Sequence, residues 1–338
     1  MGRVSRRCII EGVRIAQRVR MSRGWNVAAA GLVLAMVSGA QPTTGQDQRP
    51  ERRIRIGALM TAVAFSPDGT EIVAWDPGGF SRWNVETGRR TCSDPLFAKA
   101  CEGTPTLPRS EDGRTIGVNC RGRLHFFELR TGRPLGAWQI PKDRGVALYT
   151  PSPDGRLAAI VMAGALDVVE IRQLGGGGED TSITIDAEVE HLSVATGVTR
   201  LSVGTFRGVV VRQLPDGKLL RTIDGRSAHA FDEDGTRIAV ETGSGAAIVD
   251  LQRDAPLREV DGRVSQLRFG GGGQLLASWN NQSVFVWDLS SGARRMTVSG
   301  EEFVSAALSD DGERLVTASL QRRGGGAAAV LEIWRVPK

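Results

Sequence analysis

Three histidines, a series of aspartates, several glycine runs and four cysteines are the residues of this 338-residue chain whose types could do chemistry. Their spacing argues against most of it. His125, His191 and His229 are widely separated, and none accompanies a Gly-x-Ser-x-Gly nucleophile turn, so no hydrolytic triad can be assembled from sequence order. Asp68, Asp112, Asp154, Asp234 and Asp311 form a carboxylate series, but each occupies a separate Ser/Asp-x-Asp-Gly turn. There an aspartate bonds its own backbone, and carboxylates so dispersed cannot share a metal or a proton. The glycine runs 175–178, 270–273 and 324–326 lack the lysine and following helix that a phosphate-binding loop requires. No Cys-x-x-Cys pair is present, which leaves no zinc site. The residues read as non-catalytic, with no cofactor or metal expected.

The same turns define the elements that position everything else. Ser66-Pro67-Asp68-Gly69, Ser110-Glu111-Asp112-Gly113, Ser152-Pro153-Asp154-Gly155, Asp232-Glu233-Asp234-Gly235 and Ser309-Asp310-Asp311-Gly312 each follow one apolar alternating run and precede another. A Gly tetrad, 270–273, stands in the same place once, and Ala195-Thr196-Gly197-Val198 is a degraded copy. A Leu or Val recurs further along each unit, at 85, 129, 174, 214, 251, 289 and 336, with spacings of 44, 45, 40, 37, 38 and 47. Seven units of about forty residues, each reading as four short strands, predict an all-β, seven-bladed β-propeller over 52–338. The last unit ends two residues after its third strand. The spare segment Arg52-Arg53-Ile54-Arg55-Ile56 is expected to supply the missing outer strand and close the ring.

These motifs carry a family resemblance. The residue pairs before the recurrent Leu or Val are Trp83-Asn84, Phe127-Glu128, Arg172-Gln173, Arg212-Gln213, Val249-Asp250, Trp287-Asp288 and Trp334-Arg335. The chain resembles a divergent bacterial WD-repeat propeller, grading into YVTN-like seven-bladed propellers, from about Ile54 to Val336. Trp287-Asp288 alone keeps both letters, and the usual Gly-His pair is missing. The resemblance therefore leaves the family's stabilising hydrogen-bond network open. Exported six-bladed propellers of the Tol system share the Ser-Pro-Asp-Gly turn, but the Gly-Gly-x3-Arg-Leu-Thr-like ending of their blades is not found here.

Charge and cysteines bear on where the chain works. Residues 1–40 hold seven Arg against Glu11 alone; removing them from the chain's 43 basic and 38 acidic side chains leaves 36 and 37. The basicity belongs to this leader, so no nucleic-acid partner is expected. Arg23, the uncharged stretch Asn26 to Ala40 and the small residues Ser38-Gly39-Ala40 read as a signal peptide cut after Ala40, with Met21 a cleaner start of translation. Residues 41–51 read as a polar flexible linker. The expectation is an exported, periplasmic or extracellular protein; an uncleaved leader would instead tether it to the membrane. Past the cut stand Cys92, Cys101 and Cys120. Cys92 and Cys101 flank a loop with Pro95 and could close a small disulfide ring, while Cys101 and Cys120 are the competing pair.

Binding residues are sought on the face made by turns between second and third strands and by links between blades. Arg121, Arg123, Arg207, Arg322 and Arg323 fall in those turns, the last two in a long loop from Leu320 to Gly326. Trp75 and Trp279 end second strands beside the same face. Arg and Trp are the residues that anchor interfaces, so these seven form the candidate docking set. The reading is a scaffold that binds a protein or an envelope component. The alternative is a propeller enzyme or ligand-binding protein with its site in the central channel.

Overall fold

A computed structural model describes residues 49–338 apart from 57–61, 67, 77–78, 95–114, 121, 129–132, 175–178, 196, 198, 254–255, 301 and 324–325. The expected leader, most of the expected linker, Cys101 and Arg121 lie outside the described residues. The strands form seven antiparallel sheets in chain order, each built outward from its first strand. Blade 1 runs Ala62–Phe65, Glu71–Asp76, Gly79–Asn84 and Arg90–Asp94. Blade 2 shows three described strands, from Thr115–Cys120 to Pro134–Gln139. Blade 4 runs Val189–Val194, Arg200–Thr205, Gly208–Gln213 and Leu219–Ile223, and blade 5 begins with His229–Phe231. Blade 7 comprises Phe303–Leu308, Arg314–Arg323 and Gly326–Arg335. The molecule is a seven-bladed β-propeller.

Ring closure follows the expectation. Arg52–Ile56 pairs antiparallel with Gly326–Arg335 as the outer strand of blade 7, Arg52 opposite Ile333 and Ile56 opposite Ala329. Its alternation explains why. Ile54 and Ile56 enter a layer with Val63 and Ile72 of blade 1 and Val316 and Leu331 of blade 7, while Arg53 points outward to Glu332 at 3.2 Å. The layer thus belongs to the last blade and the first at once.

Each recurrent sequence feature has a bond behind it. In four of the turns the Asp accepts the backbone N–H two residues on, from Thr70, Arg156, Thr236 and Glu313. The Ser, or Asp232 in blade 5, accepts the N–H that opens the next strand. The closing glycines take φ of 65° to 70°, a region costly for any side chain with a Cβ. The recurrent Leu or Val donates its N–H to a carbonyl just ahead of or at the start of the second strand: Val85 to Thr70, Leu174 to Arg156, Leu214 to Thr199, Leu251 to Thr236, Leu289 to Gln274 and Val336 to Glu313. Two members of the Trp column reproduce part of the hydrogen-bond network that the resemblance had left open. Trp287 donates to Ser278 Oγ at 3.0 Å and Trp334 to Thr317 Oγ1 at 3.1 Å, each tying the third strand to the second. Asp288 caps its Gly turn through the N–H groups of Ser290 and Ser291 and pairs with Arg295. These bonds hold its carboxyl well below the usual carboxylate range.

Arginines on outer strands stitch successive blades together. Arg221 of blade 4 donates to the Asp250 and Arg253 carbonyls of blade 5. Arg258 of blade 5 reaches the Ser290 and Ser291 carbonyls of blade 6 at 2.8 and 2.9 Å. Arg295 reaches Pro337 at the end of blade 7, and Arg52, on the closing strand, reaches the Glu86 carbonyl of blade 1. The chain's arginine content is in this part structural, each guanidinium binding carbonyls that the neighbouring turn leaves open.

One expectation is corrected here. Leu320 to Gly326 is not a long loop: the second and third strands of blade 7 stay paired out to Arg323 opposite Gly326. Period-two alternation is weak in a run of Arg, Gly and Ala, so the ladder was invisible in the residue pattern.

Ile54→Ala is expected to cost about 2–5 kcal/mol in chemical denaturation, the usual range for truncating a buried Ile. A loss well under about 1 kcal/mol would show that the ring does not depend on this strand.

Candidate functional site

The structure sorts the seven candidate docking residues into three groups. Trp75 and Trp279 are corrected: each is 2% exposed, so neither can anchor a partner. Trp279 packs in the layer between blades 6 and 7, against Ala306 and Leu308. Both sit at the ends of second strands, as read, but at that register the side chain is buried rather than turned to solvent. Arg123, Arg207 and Arg322 are exposed at the expected end of blades 2, 4 and 7. Arg323 is placed by its backbone pairing opposite Gly326, and Arg121 lies outside the described residues. The three exposed arginines share a face but stand on separate blades, and they differ in engagement. Arg322 pairs with Glu302 at 3.0 Å, whereas Arg207 has no ion pair among the described residues.

The turn that carries Arg207 is built locally. Thr205 Oγ1 accepts the Arg207 N–H and donates to the Gly208 carbonyl, both at 3.1 Å, tightening the reversal between the second and third strands of blade 4. Gly208 sits at φ 127°, where a Cβ would come within 2.6 Å of the Ile223 carbonyl, so the third and fourth strands can close up only around a glycine. The tight turn thrusts Phe206 into solvent, 66% exposed. The Arg207 guanidinium lies 5.2 Å from the Phe206 ring centroid and donates to the Asp186 carbonyl at 3.3 Å. A cation over an aromatic face at this distance is held without being neutralised.

Below this turn a cleft of about 170 Å³ separates blade 4 from the link that leaves blade 3. Ile185, Asp186 and Ala187 form one wall; Val210, Arg212, Leu219 and Thr222 form the other, with Arg207 at the rim. Arg212 donates to the Gly217 carbonyl at 3.2 Å, while its buried Nε has no hydrogen-bond partner. Leu219 and Leu220, on the outer strand, are 50% and 44% exposed. Phe206, Leu219 and Leu220 were missed in the sequence. The signal was present: Leu219-Leu220 opens its outer strand with two leucines, where the other described outer strands begin with Arg, Thr or Pro.

Among the described residues, the central channel offers less room. At its mouth a cavity of about 60 Å³ is lined by Phe231, Asp232, Arg268 and the Gly270–Gly273 turn. That is space for a few waters, against the several hundred Å³ typical of a substrate pocket. Arg268 is buried and reaches from blade 6 to the Val63 carbonyl of blade 1. His191 and His229, on the first strands of blades 4 and 5, meet edge to face with ring centroids 4.6 Å apart. His229 Nδ1 lies 2.6 Å from the Ser227 carbonyl and so carries the proton. Burial pushes His191 down to about 4, and burial with His191 beside it pushes His229 down to about 3. On blade 2 burial, with Arg123 nearby, brings His125 to about 4. Both rings of the channel pair are neutral at pH 7, and among the described residues neither hydrogen-bonds a carboxylate. Cys92 is disulfide-bonded.

No family model matches the chain, and no curated protein matches it. It is similar to 1287 solved chains, among them the crystal structure of the β-propeller domain of Cps50 (Swd1) from Myceliophteria thermophila. That likeness has a TM-score of 0.61 at 15% identity and covers 86% of this chain and 99% of the other. What is shared at this identity is the fold, and a fold so widely used carries many activities, so function has to be argued from the site.

The buried histidines set the response to acid. The unfolded chain takes up protons below about pH 6.5, whereas the folded rings refuse them until about pH 4 or 3. Stability is therefore full above pH 6.5 and lost as pH falls toward 4, by about 2 kcal/mol for each such ring at pH 5. Thermal melts at pH 7.5 and 5.0 should show a marked drop for the native chain and a smaller one for His229→Gln. An equal drop in both would remove His229 as a cause.

Proposed function

We propose that this chain is an exported, non-catalytic propeller that binds another protein or an envelope component through the blade 4 sector of its arginine-bearing face. In this reading it belongs with the divergent bacterial WD-repeat, YVTN-like propellers that it resembles. One observation carries the proposal. The large apolar side chains well exposed among the described residues, Phe206, Leu219, Leu220 and Leu257, all lie on blades 4 and 5, the first three on blade 4 alone. Scattered exposed leucines need no explanation, but on blade 4 the exposed Leu219 lines the same cleft as Arg207, whose guanidinium carries the exposed Phe206 ring, and that combination has the make-up of an interface. Arg123 and Arg322 extend the same face, and Arg121 and Arg323 are assigned to it by their places in the sequence. Export is supported by the leader's charge and apolar pattern, and the disulfide at Cys92 fits an oxidising compartment. We assign its partner as Cys101. A nucleic-acid partner has no support, because past the leader the charges balance and several arginines are spent on neighbouring blades. The channel-centred enzyme reading has less support among the described residues, where the cavity at the channel mouth is about 60 Å³.

Site-specific photo-crosslinking tests the reading. A photoreactive side chain is placed at Phe206, at Arg322, or at Gly272 on the opposite rim, and the full chain is irradiated in the envelope fraction of its source cells. The expected outcome is one dominant protein adduct from position 206 and none from 272. Adducts from 272 alone would put the working surface on the other rim; none from any position would remove the binding-module reading.

A further inference from the structure

We infer that the cleft between blades 3 and 4 takes an extended peptide segment in which an Asp or Glu stands beside a bulky apolar side chain. The inference rests on the protein-binding reading above and names the chemistry of the partner. Three observations carry it. First, the cleft's charge is unbalanced: Arg207 and Arg212 line it against Asp186 alone. Second, its cations are incompletely used. Arg207 keeps one long hydrogen bond to the Asp186 carbonyl and its stacking on Phe206, and Arg212 keeps one to Gly217 while its buried Nε stays without a partner. A guanidinium presents its N–H groups as a planar fork that matches a carboxylate, so an entering Asp or Glu would fill the donor positions that no group of the chain occupies. Third, the site already exposes apolar surface. Leu219, half exposed, forms part of the wall with Val210, and the exposed Phe206 ring lies against the Arg207 guanidinium at the rim. A single apolar side chain fits about 170 Å³; a folded domain does not, which favours a segment.

The other clefts compare poorly. A larger one of about 460 Å³ near the C-terminus is lined by Arg49, Arg335 and Lys338, but the last two already pair with Glu51 and Glu313 at 2.8 and 3.3 Å, Glu313 itself lines the cleft, and its apolar side chains, Met296, Trp334 and Val336, are not among the well-exposed ones. At the channel mouth Arg268 and Asp232 are engaged as well, the latter by Arg237 at 2.7 Å. The blade 4 cleft combines unspent guanidinium donors with exposed apolar surface.

The test begins by panning the purified full chain against a random linear peptide library on phage. Recovered peptides are resynthesised with both ends blocked and titrated by fluorescence anisotropy. The expected peptides carry Asp or Glu adjacent to Leu, Ile, Phe or Trp, and replacing that acid by its amide weakens binding about tenfold or more. Arg207→Glu and Leu219→Asp in the protein should each weaken binding about tenfold or more, while Lys338→Glu, at the C-terminal cleft, leaves it within about twofold. Both altered side chains reach solvent, and an unchanged cooperative melt confirms that each variant folds. Recovery of peptides without an acid, affinity indifferent to Arg207→Glu and Leu219→Asp, or no recoverable peptide would each overturn the cleft assignment. Peptides that bind but crosslink to another blade overturn the cleft while sparing the binding-module reading, which falls only if the photo-crosslinks from the protein also fail.

Discussion

The constraint on which everything else in this molecule depends is that no blade can bury its own faces. A single four-stranded antiparallel sheet has two surfaces and no core, so each apolar face must be covered by a neighbour. The packing obeys this without exception among the described clusters. Ile160 and Met162 of blade 3 pack with Leu124 and Phe126 of blade 2, Val209 and Val211 of blade 4 with Ile238 and Val240 of blade 5, and Ile248 of blade 5 with Leu276 of blade 6. A row of such sheets would still end in two uncovered faces. The ring removes them, which is why a strand from the beginning of the chain is required at its end. Ile54 and Ile56 do this work in the layer shared by blades 7 and 1.

Electrostatics repeats the same logic on the outside. Arg221, Arg258 and Arg295 are 37 residues apart, and each donates to carbonyls of the blade that follows it. The carbonyls belong to turns, where the backbone reverses and cannot satisfy itself. A long cation from the preceding blade bonds them while its own stem stays half-buried. Closure is again made by the N-terminal strand, whose Arg52 takes the place a fourth-strand arginine would have held. A charge count over the whole chain suggests affinity for polyanions; the geometry shows several of these guanidinium groups already bound to their own protein.

What repeats in this protein was therefore legible from its residues, because repetition and packing have one cause. Among the described residues the Asp-Gly turns, the Leu or Val column and the spare first strand stand as read, since each is a backbone requirement met the same way in successive blades; the turn at Asp112 and Leu129 lie outside those residues. What failed was single-residue inference about exposure. Trp75 and Trp279 end second strands next to a turn, and nothing in a linear pattern says whether such a ring swings toward solvent or into the layer between blades. Space decides: the layer beside Ala306 and Leu308 has room for an indole, and burial of so large an apolar surface is strongly favoured. The paired extension of blade 7 failed for a related reason, because Arg, Ala and Gly carry no apolar alternation from which a ladder could be read.

It follows that function should be sought where the repeat is broken. Every feature that recurs around this ring has a structural explanation: turns are capped by Asp, rings by hydroxyls, carbonyls by Arg. Blade 4 departs at several points. It carries Arg212-Gln213 in the column where three blades place Trp, a degraded first turn at Ala195 to Val198, and two leucines in succession, Leu219-Leu220, at the start of its outer strand. These departures are not independent in space. Arg212 and Leu219 face each other across the register of the third and fourth strands, and both line the cleft whose rim is Arg207. Blade 3 also places an Arg in this column, but Arg172 pairs with Glu170 and Asp180, whereas among the described residues Arg212 has only its bond to Gly217; exposing leucines on an edge strand invites unwanted pairing. Arg212 and Leu219 meet in a single cleft, and that meeting is the reason for proposing the working surface on blade 4 rather than at the centre of the ring.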